Sequence, residues 1–574
     1  MQLDTQLPDT LGSSGRDEAT DLDPTSGRVS KVGGKTNSTS LNKNIKFWVI
    51  LGALAVTGLL TAIEATFTST ALPSILVDLG GGDLFIWVIN GYFLAMTSLQ
   101  PLYGQLSNVF GRRWPMIIAT AIYTFGSGIC GGANNIGMLI AGRVLQGIGA
   151  AGINVLMEII ICDLVPMRER GTYLAIIFGV IALGTALGPL FGGLIVQHSS
   201  WRWIFYLNLP IGGLALVLLY LFLNVNYIKE MTLSTRLAMI DWFGNVIFVL
   251  SVCSILISLS WAGSIYEWSS FHVLVPLIVG LAGLGAFLVF EGSRFVSQPT
   301  MPLRLLSNRT SATAYALTFM HSNTGLWALY FLPLYFQGVL DASPSRSGIQ
   351  LLPSILVIIP AAASGGIVMS KLGRYRPIHH ASYALMVVGY GLFTLLDENS
   401  STGAWVGYQV VVSLGSGLII PTLLPAVMAS LPEADTALAA GTWSFLRSFG
   451  MTWGTAIPAA IFDNRFSQLA YQITNATVRE ELIGRQAYSH ATAAFRDMLQ
   501  EPSRRQFITV LDESLRRIWQ IAIGFAGFGF LLAFIEKEVP LREELDTQFG
   551  IAGEDKKTSI ETGDGGTAEK NTGE

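Results

Sequence analysis

Charged residues and cysteines are both scarce in this sequence. Only 13% of its 574 residues are Asp, Glu, Lys or Arg, whereas 51% are hydrophobic. Because a soluble domain carries about 25% charged residues, this composition predicts a protein that lies within a lipid bilayer. The three cysteines, Cys130, Cys162 and Cys253, lie in or beside apolar runs without metal-site spacing, so we expect buried apolar side chains rather than metal ligands. The net charge of −4 gives no indication of a nucleic-acid partner.

Motifs for catalysis and nucleotide binding are also missing. The stretch Gly33-Gly34-Lys35-Thr36 lacks the upstream glycine of a phosphate-binding loop and lies in a polar segment. The run GIGAAG, residues 147–152, matches a dinucleotide-binding pattern but lies inside an apolar helix and follows no strand. We find no nucleophile triad and no metal cluster, so we expect neither enzyme activity nor a cofactor.

Apolar runs long enough to cross a bilayer recur along the chain. A spanning helix needs about 20 mostly apolar residues. The runs predict an all-α polytopic membrane protein, flanked by polar, disordered segments at residues 1–44 and 537–574. The fourteen runs lie near residues 46–69, 84–103, 114–132, 136–157, 172–196, 203–223, 240–261, 271–291, 311–336, 348–369, 378–396, 403–428, 437–461 and 519–536.

Arginine and lysine are concentrated in every second short loop. The short loops after even-numbered runs hold most of them, whereas the short loops after odd-numbered runs hold only Arg202 and Arg346. Because cytoplasmic loops are enriched in Lys and Arg, both termini are predicted to be cytoplasmic. The polar segment 462–517 then forms a non-cytoplasmic loop, where the Asn-Ala-Thr sequence at Asn475 is a candidate glycosylation site.

Two loops of the chain share one pattern. Residues 104–113 read GQLSNVFGRR and residues 366–376 read GIVMSKLGRYR, each with two glycines seven positions apart. Both follow the second run of a six-helix group if runs seven and eight are an insert. The pattern predicts two six-helix halves, residues 45–223 and 292–536, with two extra helices in 224–291. The loop arginines can pair with acids on adjacent helices, or serve only as cytoplasmic anchors.

The fifth run contains the small-residue stretch GTALGPLFGG, residues 184–193. Gly184, Gly188 and Gly192 are four positions apart and share one helix face, which lets another helix approach closely. Pro189 removes one backbone donor and disturbs the preceding turn. The stretch predicts a tightly packed helix, either able to bend or statically packed.

These motifs resemble a family of membrane transporters. GTALGPLFGG is similar to the antiporter motif, and GQLSNVFGRR to the loop motif, of drug–proton antiporters in the major facilitator superfamily. AGRVLQGIGAAG, IEATFTSTALPSI and FLRSFG are similar to other segments of the fourteen-span branch, fungal members in particular. The resemblance implies that superfamily's fold and proton-coupled export. Two residues depart from the pattern, since Glu64 and Asn108 stand where the family usually has Asp.

Ionisable residues within the runs are candidates for proton coupling, because charges are costly in a bilayer and mostly functional. They are Glu64 and Arg143, whose positions permit a pair, and Arg447; a static ion pair is the alternative. Glu158 is expected at the cytoplasmic interface, close to Asp163. The resemblance assigns gating and packing to Gly104, Asn108, Gly111, Arg112, Arg113, Gln146, Gly147, Gly184, Gly188, Pro189, Gly192 and Gly193. Substrate-cavity candidates are His321, Asn323, Trp327, Tyr330, Trp405, Tyr408 and Gln409, with lipid contact or core packing as the alternative for the aromatics.

The function that fits these features is proton-coupled export of amphipathic organic compounds such as drugs, toxins or secondary metabolites. The alternatives are a siderophore or amino-acid transporter working by uptake or vacuolar loading, and a membrane sensor that transports nothing. We expect a monomer whose partners are a small-molecule substrate, protons and the lipid bilayer. The plasma membrane is the expected location, with the vacuolar membrane as the alternative.

Overall fold

A computed structural model describes residues 45–80, 84–224, 232–263, 265–296, 298–483 and 487–544. The expected N-terminal disordered segment, residues 1–44, lies outside the described residues, as does residue 545 onward. Within the described ranges the chain forms α-helices joined by short connections. The helices are α1 Ile45–Leu79, α2 Phe85–Phe110, α3 Arg113–Gly131, α4 Ile136–Leu164, α5 Met167–His198, α6 Arg202–Tyr206, α7 Asn208–Phe222, α8 Leu233–Ala238, α9 Trp242–Trp261, α10 Phe271–Glu291, α11 Arg304–Ser307, α12 Arg309–Gly325, α13 Trp327–Leu334, α14 Pro344–Gln350, α15 Leu352–Leu372, α16 Arg376–Phe393, α17 Thr402–Met428, α18 Thr436–Leu469, α19 Ala476–Leu482, α20 Ala487–His490, α21 Ala493–Met498 and α22 Ser503–Ala533.

The predicted apolar runs all coincide with helices. Ten helical segments of the described chain are long and apolar enough to cross a membrane. The remaining runs correspond to α2, the α12–α13 pair, α16 and α18, which contain more polar residues. The all-helical membrane architecture is confirmed, and the count of fourteen crossings stays a prediction.

Side-chain caps place several of the helix starts. The Asn135 side chain accepts a hydrogen bond from the Met138 backbone N–H at 2.8 Å before α4. The Ser401 hydroxyl accepts one from the Ala404 N–H at 3.3 Å before α17. Because the first turn of a helix leaves backbone donors without partners, such caps fix where each helix begins.

The second glycine of each loop copy has a positive φ angle, but the two copies differ in ψ, which is −178° at Gly111 and 18° at Gly373. Gly111 and Gly373, the second glycine of each copy, have φ angles of 78° and 65°. Residues with a Cβ rarely adopt this region, so glycine is required at both positions. The internal repeat inferred from the sequence stays a prediction.

The first glycine of each copy lies where helices of residues 45–223, called the first half from here on, cross helices of residues 292–536, called the second half. A Cβ on Gly104 of α2 would lie 2.8 Å from the Ala437 carbonyl oxygen and 3.4 Å from the Gly441 Cα, both on α18. A Cβ on Gly366 of α15 would overlap the carbonyl oxygen of Gly171 on α5. The halves therefore approach backbone to backbone at two equivalent crossings, α2 with α18 and α5 with α15.

The GTALGPLFGG stretch of α5 packs against α1. A Cβ on Gly184 would lie 2.8 Å from the Leu59 side chain, and one on Gly188 would overlap the Thr66 side chain. A Cβ on Gly193, by contrast, would have no atom within 4 Å. Close packing thus requires glycine at positions 184 and 188. α5 continues through position 189 as one uninterrupted helix.

We expect Gly188→Ala to lower the unfolding temperature of the purified protein, since overpacking a helix contact costs about 1–3 kcal/mol. Gly193→Ala, on the same helix, is the matched control and should leave that temperature unchanged. Thermal unfolding of both variants in detergent makes the comparison. An equal shift in both would show that the contact with Thr66 is not the cause.

The two extra helices, α9 and α10, pack on each other and onto the first half. The Ser258 hydroxyl on α9 donates a hydrogen bond to the Val273 carbonyl oxygen on α10 at 2.7 Å. The Asn245 amide on α9 donates to Gln105 Oε1 on α2 at 3.1 Å and to the Thr300 hydroxyl at 2.8 Å. The insert is therefore joined to α2 next to Gly104.

Two polar regions are more ordered than their composition indicates. α18 continues to Leu469 and α22 begins at Ser503, so helix occupies both ends of the expected loop 462–517. Residues 534–543 are held against the second half: the Tyr375 hydroxyl donates to the Lys537 carbonyl oxygen at 2.6 Å, and Arg542 donates to the Leu431 carbonyl oxygen at 2.6 Å. The disordered tail expected from residue 537 is thus bound through residue 543.

Candidate functional site

A buried carboxylate, Glu64 on α1, lies at the centre of a polar network in the first half. Arg143 Nη1 on α4 donates to Glu64 Oε1 at 2.7 Å, and Asn208 Nδ2 on α7 donates to Glu64 Oε2 at 2.7 Å. The Thr68 hydroxyl also donates to Oε1 at 3.3 Å. Glu64 and Arg143 are fully buried. Three helices of one half therefore meet at this carboxylate.

Arg143 is held from several sides. Its Nε donates to the Val88 carbonyl oxygen at 2.9 Å, and its Nη1 donates to Gln146 Oε1 at 2.9 Å. Its guanidinium carbon lies 4.5 Å from the ring centroid of Tyr92. Glu64 Oε1 accepts two of these bonds and Oε2 one, so Oε2 keeps a lone pair that could take a proton. A proton there would cancel the charge that attracts Arg143, which lies on a different helix.

A second buried carboxylate, Glu158 on α4, joins the two halves. Arg447 Nη2 on α18 lies 2.8 Å from Glu158 Oε1, and the Ser444 hydroxyl donates to Glu158 Oε2. The Glu158 side chain is fully buried, whereas the Arg447 side chain remains 18% exposed. Glu158 is therefore enclosed by protein, and its predicted depth near the cytoplasmic end of the helix stays a prediction. Its partner comes from a distant part of the sequence and covers it.

The loop pattern of residues 104–113 is stabilised by an ion pair with α4. Arg112 Nε lies 2.7 Å from Asp163 Oδ2, and Arg112 Nη1 donates to the Ser107 carbonyl oxygen at 2.8 Å. The same Nη1 donates to Asn108 Oδ1 at 3.3 Å. The amide at position 108 therefore keeps a bond to the arginine, and Asp163 supplies the negative charge.

We expect Asp163→Asn to lower transport and stability, because removing one partner of a buried ion pair costs about 3–5 kcal/mol. Asn108→Asp, added to Asp163→Asn, would return a carboxylate within reach of Arg112 and recover part of the loss. Export assays and unfolding temperatures of the single and double variants measure this. Equal defects in both would mean that the charge at position 163 acts on something other than Arg112.

Most of the expected substrate-cavity residues are packed inside the second half. Asn323 and Trp327 are fully buried and bonded to each other, the indole N–H donating to the Asn323 amide oxygen at 3.3 Å. Gln409 is fully buried and donates to the Gln350 carbonyl oxygen at 3.0 Å, and Trp405 is 8% exposed. In this conformation these side chains serve packing, which was the alternative weighed for the aromatics.

The other expected cavity residues keep accessible surface. Tyr330 is 44% exposed, and Tyr408 and His321 are partly buried. His321 Nε2 lies 2.9 Å from the Ser416 hydroxyl, and its ring interacts electrostatically with Arg447. These three remain candidates for contact with a substrate.

The remaining sequence-derived candidates divide between packing and surface roles. A Cβ on Gly147 would overlap the Tyr92 carbonyl oxygen, so this glycine permits the α2–α4 contact. Gly192 is buried in α5, and Arg113 donates to the Tyr220 carbonyl oxygen at 2.6 Å. Asn475 is exposed and caps α19, accepting from the Thr477 N–H at 3.0 Å.

Sequence reasoning missed Asn208 and the roles of Asp163 and Glu158. Asn208 begins α7 within an apolar run, and a lone amide in such a run is a signal that it has a buried partner. The partner of Glu158 could not be read from spacing, because α4 and α18 meet only across the two halves.

Long apolar helices that cross at glycines, with ion pairs buried among them, are compatible with a secondary transporter. The chain belongs to the Major Facilitator Superfamily, whose pattern matches residues 54–455. It is accordingly an integral membrane transporter for small molecules.

Fungal transporters are similar to this chain over most of its length. The MFS-type transporter pydD of Acremonium sp is 58% identical over 518 residues, covering 90% of this chain and 91% of that protein. Efflux pump FUS6 of Gibberella moniliformis is 45% identical, covering 89% of this chain and 91% of its own. The Acurin A biosynthesis cluster MFS-type transporter of Aspergillus aculeatus is 45% identical, covering 89% and 92%.

Solved structures of the superfamily share the fold at low sequence identity. The human organic anion transporter MFSD10 is 14% identical with a TM-score of 0.54, covering 85% of this chain and 99% of that chain. The proton:xylose symporter XylE is 14% identical with a TM-score of 0.55, covering 87% and 98%. These similarities establish the fold alone.

Proposed function

We propose that this chain is a proton-coupled exporter of amphipathic organic compounds, a secondary metabolite above all. Two of the similar fungal proteins are an efflux pump and a transporter of a biosynthesis cluster. The observation that carries proton coupling is the Glu64 network, in which a fully buried carboxylate is bonded by Arg143 at 2.7 Å.

The coupling step that we propose begins at Glu64. With Glu64 ionised, its charge balances Arg143 and its two oxygens hold α4 and α7 against α1. A proton on Glu64 removes that balance and leaves the buried charge of Arg143 without a counter-charge, which weakens its bond to Glu64 and favours a rearrangement. Three helices of the first half thus change their packing in response to one proton.

The halves would respond as units at their glycine crossings. Two further contacts bind them together next to these crossings: Arg170 Nη2 lies 3.0 Å from Glu433 Oε2, and Arg168 Nε donates to the Ser370 carbonyl oxygen at 2.8 Å. On the proposed topology, with fourteen crossings and both termini in the cytoplasm, these contacts close the cytoplasmic side. Opening them would admit substrate from the cytoplasm.

We further propose a monomer in the plasma membrane, with Asn475 on the external face and open to glycosylation. Treatment of the purified protein with an endoglycosidase tests that orientation. The expected result is a mobility shift in the wild type that is absent in Asn475→Gln. No shift in the wild type, or a shift that persists in Asn475→Gln, would remove the support for an external position.

The proposed function is tested by expression in an efflux-deficient microbial host. Cells are challenged with a panel of toxic organic compounds, and their compound content is measured with and without an uncoupler. Resistance with lower compound content, abolished by the uncoupler, is the expected result. Higher content or greater sensitivity would instead indicate uptake or vacuolar loading, and lower content that survives the uncoupler would contradict proton coupling.

A further inference from the structure

Arg447 has a setting unlike that of Arg143. Arg143 is fully buried and all its described partners belong to the first half. Arg447, on α18 of the second half, is paired with Glu158 on α4 of the first half and keeps 18% of its side chain exposed. Because its neighbours come from both halves, Arg447 lies where the two halves meet.

The guanidinium of Arg447 is fixed in place by its surroundings. Its carbon lies 4.6 Å from the Trp443 ring centroid and 5.1 Å from that of Phe178 on α5. Trp443 is 1% exposed and Phe178 7%, so these rings are themselves rigidly packed. Stacking and the ion pair together hold one orientation of the group.

These contacts leave hydrogen-bond donors of Arg447 unused. A guanidinium carries five N–H donors. Among the described residues, Arg447 forms a single ion pair, through Nη2, and donates no other hydrogen bond, while aromatic stacking uses the face of the group rather than its edge. A rigid group with free donors is prepared to bind an acceptor, because little entropy is lost when the bond forms.

The charge around these donors is already balanced. Glu158 neutralises Arg447, and Ser444 donates to the second oxygen of Glu158. Among the described residues, the other titratable groups that interact electrostatically with this pair are His321 and Cys162, which is one turn along α4 from Glu158. An anionic ligand would add an uncompensated charge in a medium of low dielectric constant, and a cationic ligand would be repelled by the guanidinium. An uncharged acceptor incurs neither cost.

We propose that Arg447 is the substrate-recognition residue between the halves, donating hydrogen bonds to an uncharged carbonyl-type oxygen of an amphipathic substrate. Glu158 is the positioning residue that holds the guanidinium and cancels its charge. This inference rests on the proposed function and adds the substrate class to it, namely neutral, oxygen-acceptor compounds. It separates recognition at Arg447 from proton coupling at Glu64.

The test is a binding experiment on the full-length protein in lipid nanodiscs. Four tritium-labelled probes share one ring system and differ in their end group: 1-pyrenebutyramide, 1-pyrenebutyric acid, a pyrenebutyl trimethylammonium ion and 1-butylpyrene. Saturable binding is measured above that of empty nanodiscs. We expect the amide to bind about tenfold or more tightly than the hydrocarbon and the cation, since a site built around donors rejects a ligand without acceptors. Tighter binding of the acid than of the amide, or no saturable binding of the amide, would overturn the proposal.

The variants distinguish recognition from mere packing. Arg447→Gln is expected to weaken amide binding about tenfold or more, while hydrocarbon binding stays constant. The double variant Glu158→Gln/Arg447→Gln has no unpaired buried charge, so it keeps the test valid if the single variant does not fold. Arg517→Gln, an exposed arginine on α22, is the matched control. Equal loss of amide and hydrocarbon binding would show that Arg447 only supports the structure.

Glu158→Gln gives a readout that a structural role would not produce. With its counter-charge removed, Arg447 should bind the acid more tightly than it does in the wild type, reversing the order of acid and amide. An unchanged order would remove Glu158 from the proposal. The binding result is independent of the export result. Arg447-dependent binding without export in cells would overturn the proposed function alone. Export without Arg447-dependent binding would overturn this inference alone.

Discussion

Glu64→Gln is expected to abolish proton-driven export while leaving a folded protein in the membrane. Glutamine offers one acceptor oxygen, which can keep the bond from Arg143, and its NH2 group can bond to Asn208 if that amide turns to present its oxygen, but glutamine binds no proton. One proton moving down about 100 mV and one pH unit supplies roughly 2.3 plus 1.4 kcal/mol. A neutral substrate gradient of up to a few hundred fold should therefore collapse towards unity.

Glu64→Asp is the matched control, because it keeps a carboxylate at this position and matches the residue that the antiporter pattern usually has. It should retain uncoupler-sensitive export. The measurement is cellular compound content in an efflux-deficient host, alongside membrane abundance and elution in size-exclusion chromatography. Full export by Glu64→Gln would show that the coupling proton binds elsewhere. If both variants fold correctly and neither exports, then export requires the length of the glutamate side chain as well as its carboxylate.

Gly366→Val should eliminate transport, because the halves could no longer approach at the crossing of α5 and α15. Even the first carbon of a side chain at this position overlaps the carbonyl oxygen of Gly171, and both of these are backbone positions that cannot rotate away. Overpacking costs about 1–3 kcal/mol or more where the neighbour cannot move. The contacts that close this end would be lost first, so the protein would remain open there.

Gly391→Val, on α16, is the control for this effect, since a Cβ at Gly391 has no atom within 4 Å. It should transport like the wild type. Accessibility of a cysteine introduced at Gly179 on α5, measured with a membrane-impermeant thiol reagent, reports the separation of α5 from α15. Normal transport by Gly366→Val would mean that the close approach seen here is not part of the transport cycle.

Much of the fold could be predicted because its cause is local. Each membrane helix needs an apolar run of sufficient length, and the sequence shows such runs directly. The glycine of the loop pattern could also be anticipated, since Gly111 and Gly373 both have a positive φ angle. Helix ends were less predictable: α18 extends to Leu469 because polar residues continue its turns beyond the apolar segment.

The site was only partly predictable, since its geometry depends on which helices meet. Glu64 and Arg143 could be paired because both lie in the same half at corresponding depths. Glu158 could not be placed, because its partner Arg447 reaches it only when the halves assemble. Aromatic residues were the least informative: Trp327 and Trp405 fill the interior of the second half, and composition does not separate packing from binding.

The bound segment after α22 has a practical consequence for handling the protein. Glu536 in this segment lies 2.8 Å from His379 inside the second half, and the Arg542 carbonyl oxygen accepts from the Arg168 backbone N–H at 3.1 Å. An affinity tag or fluorescent reporter is therefore best fused beyond residue 544. A chain shortened to end at residue 534 would lack Glu536, so His379 would lose its carboxylate partner. It would also lack Arg542, so the backbone bond from Arg168 of the first half would be lost.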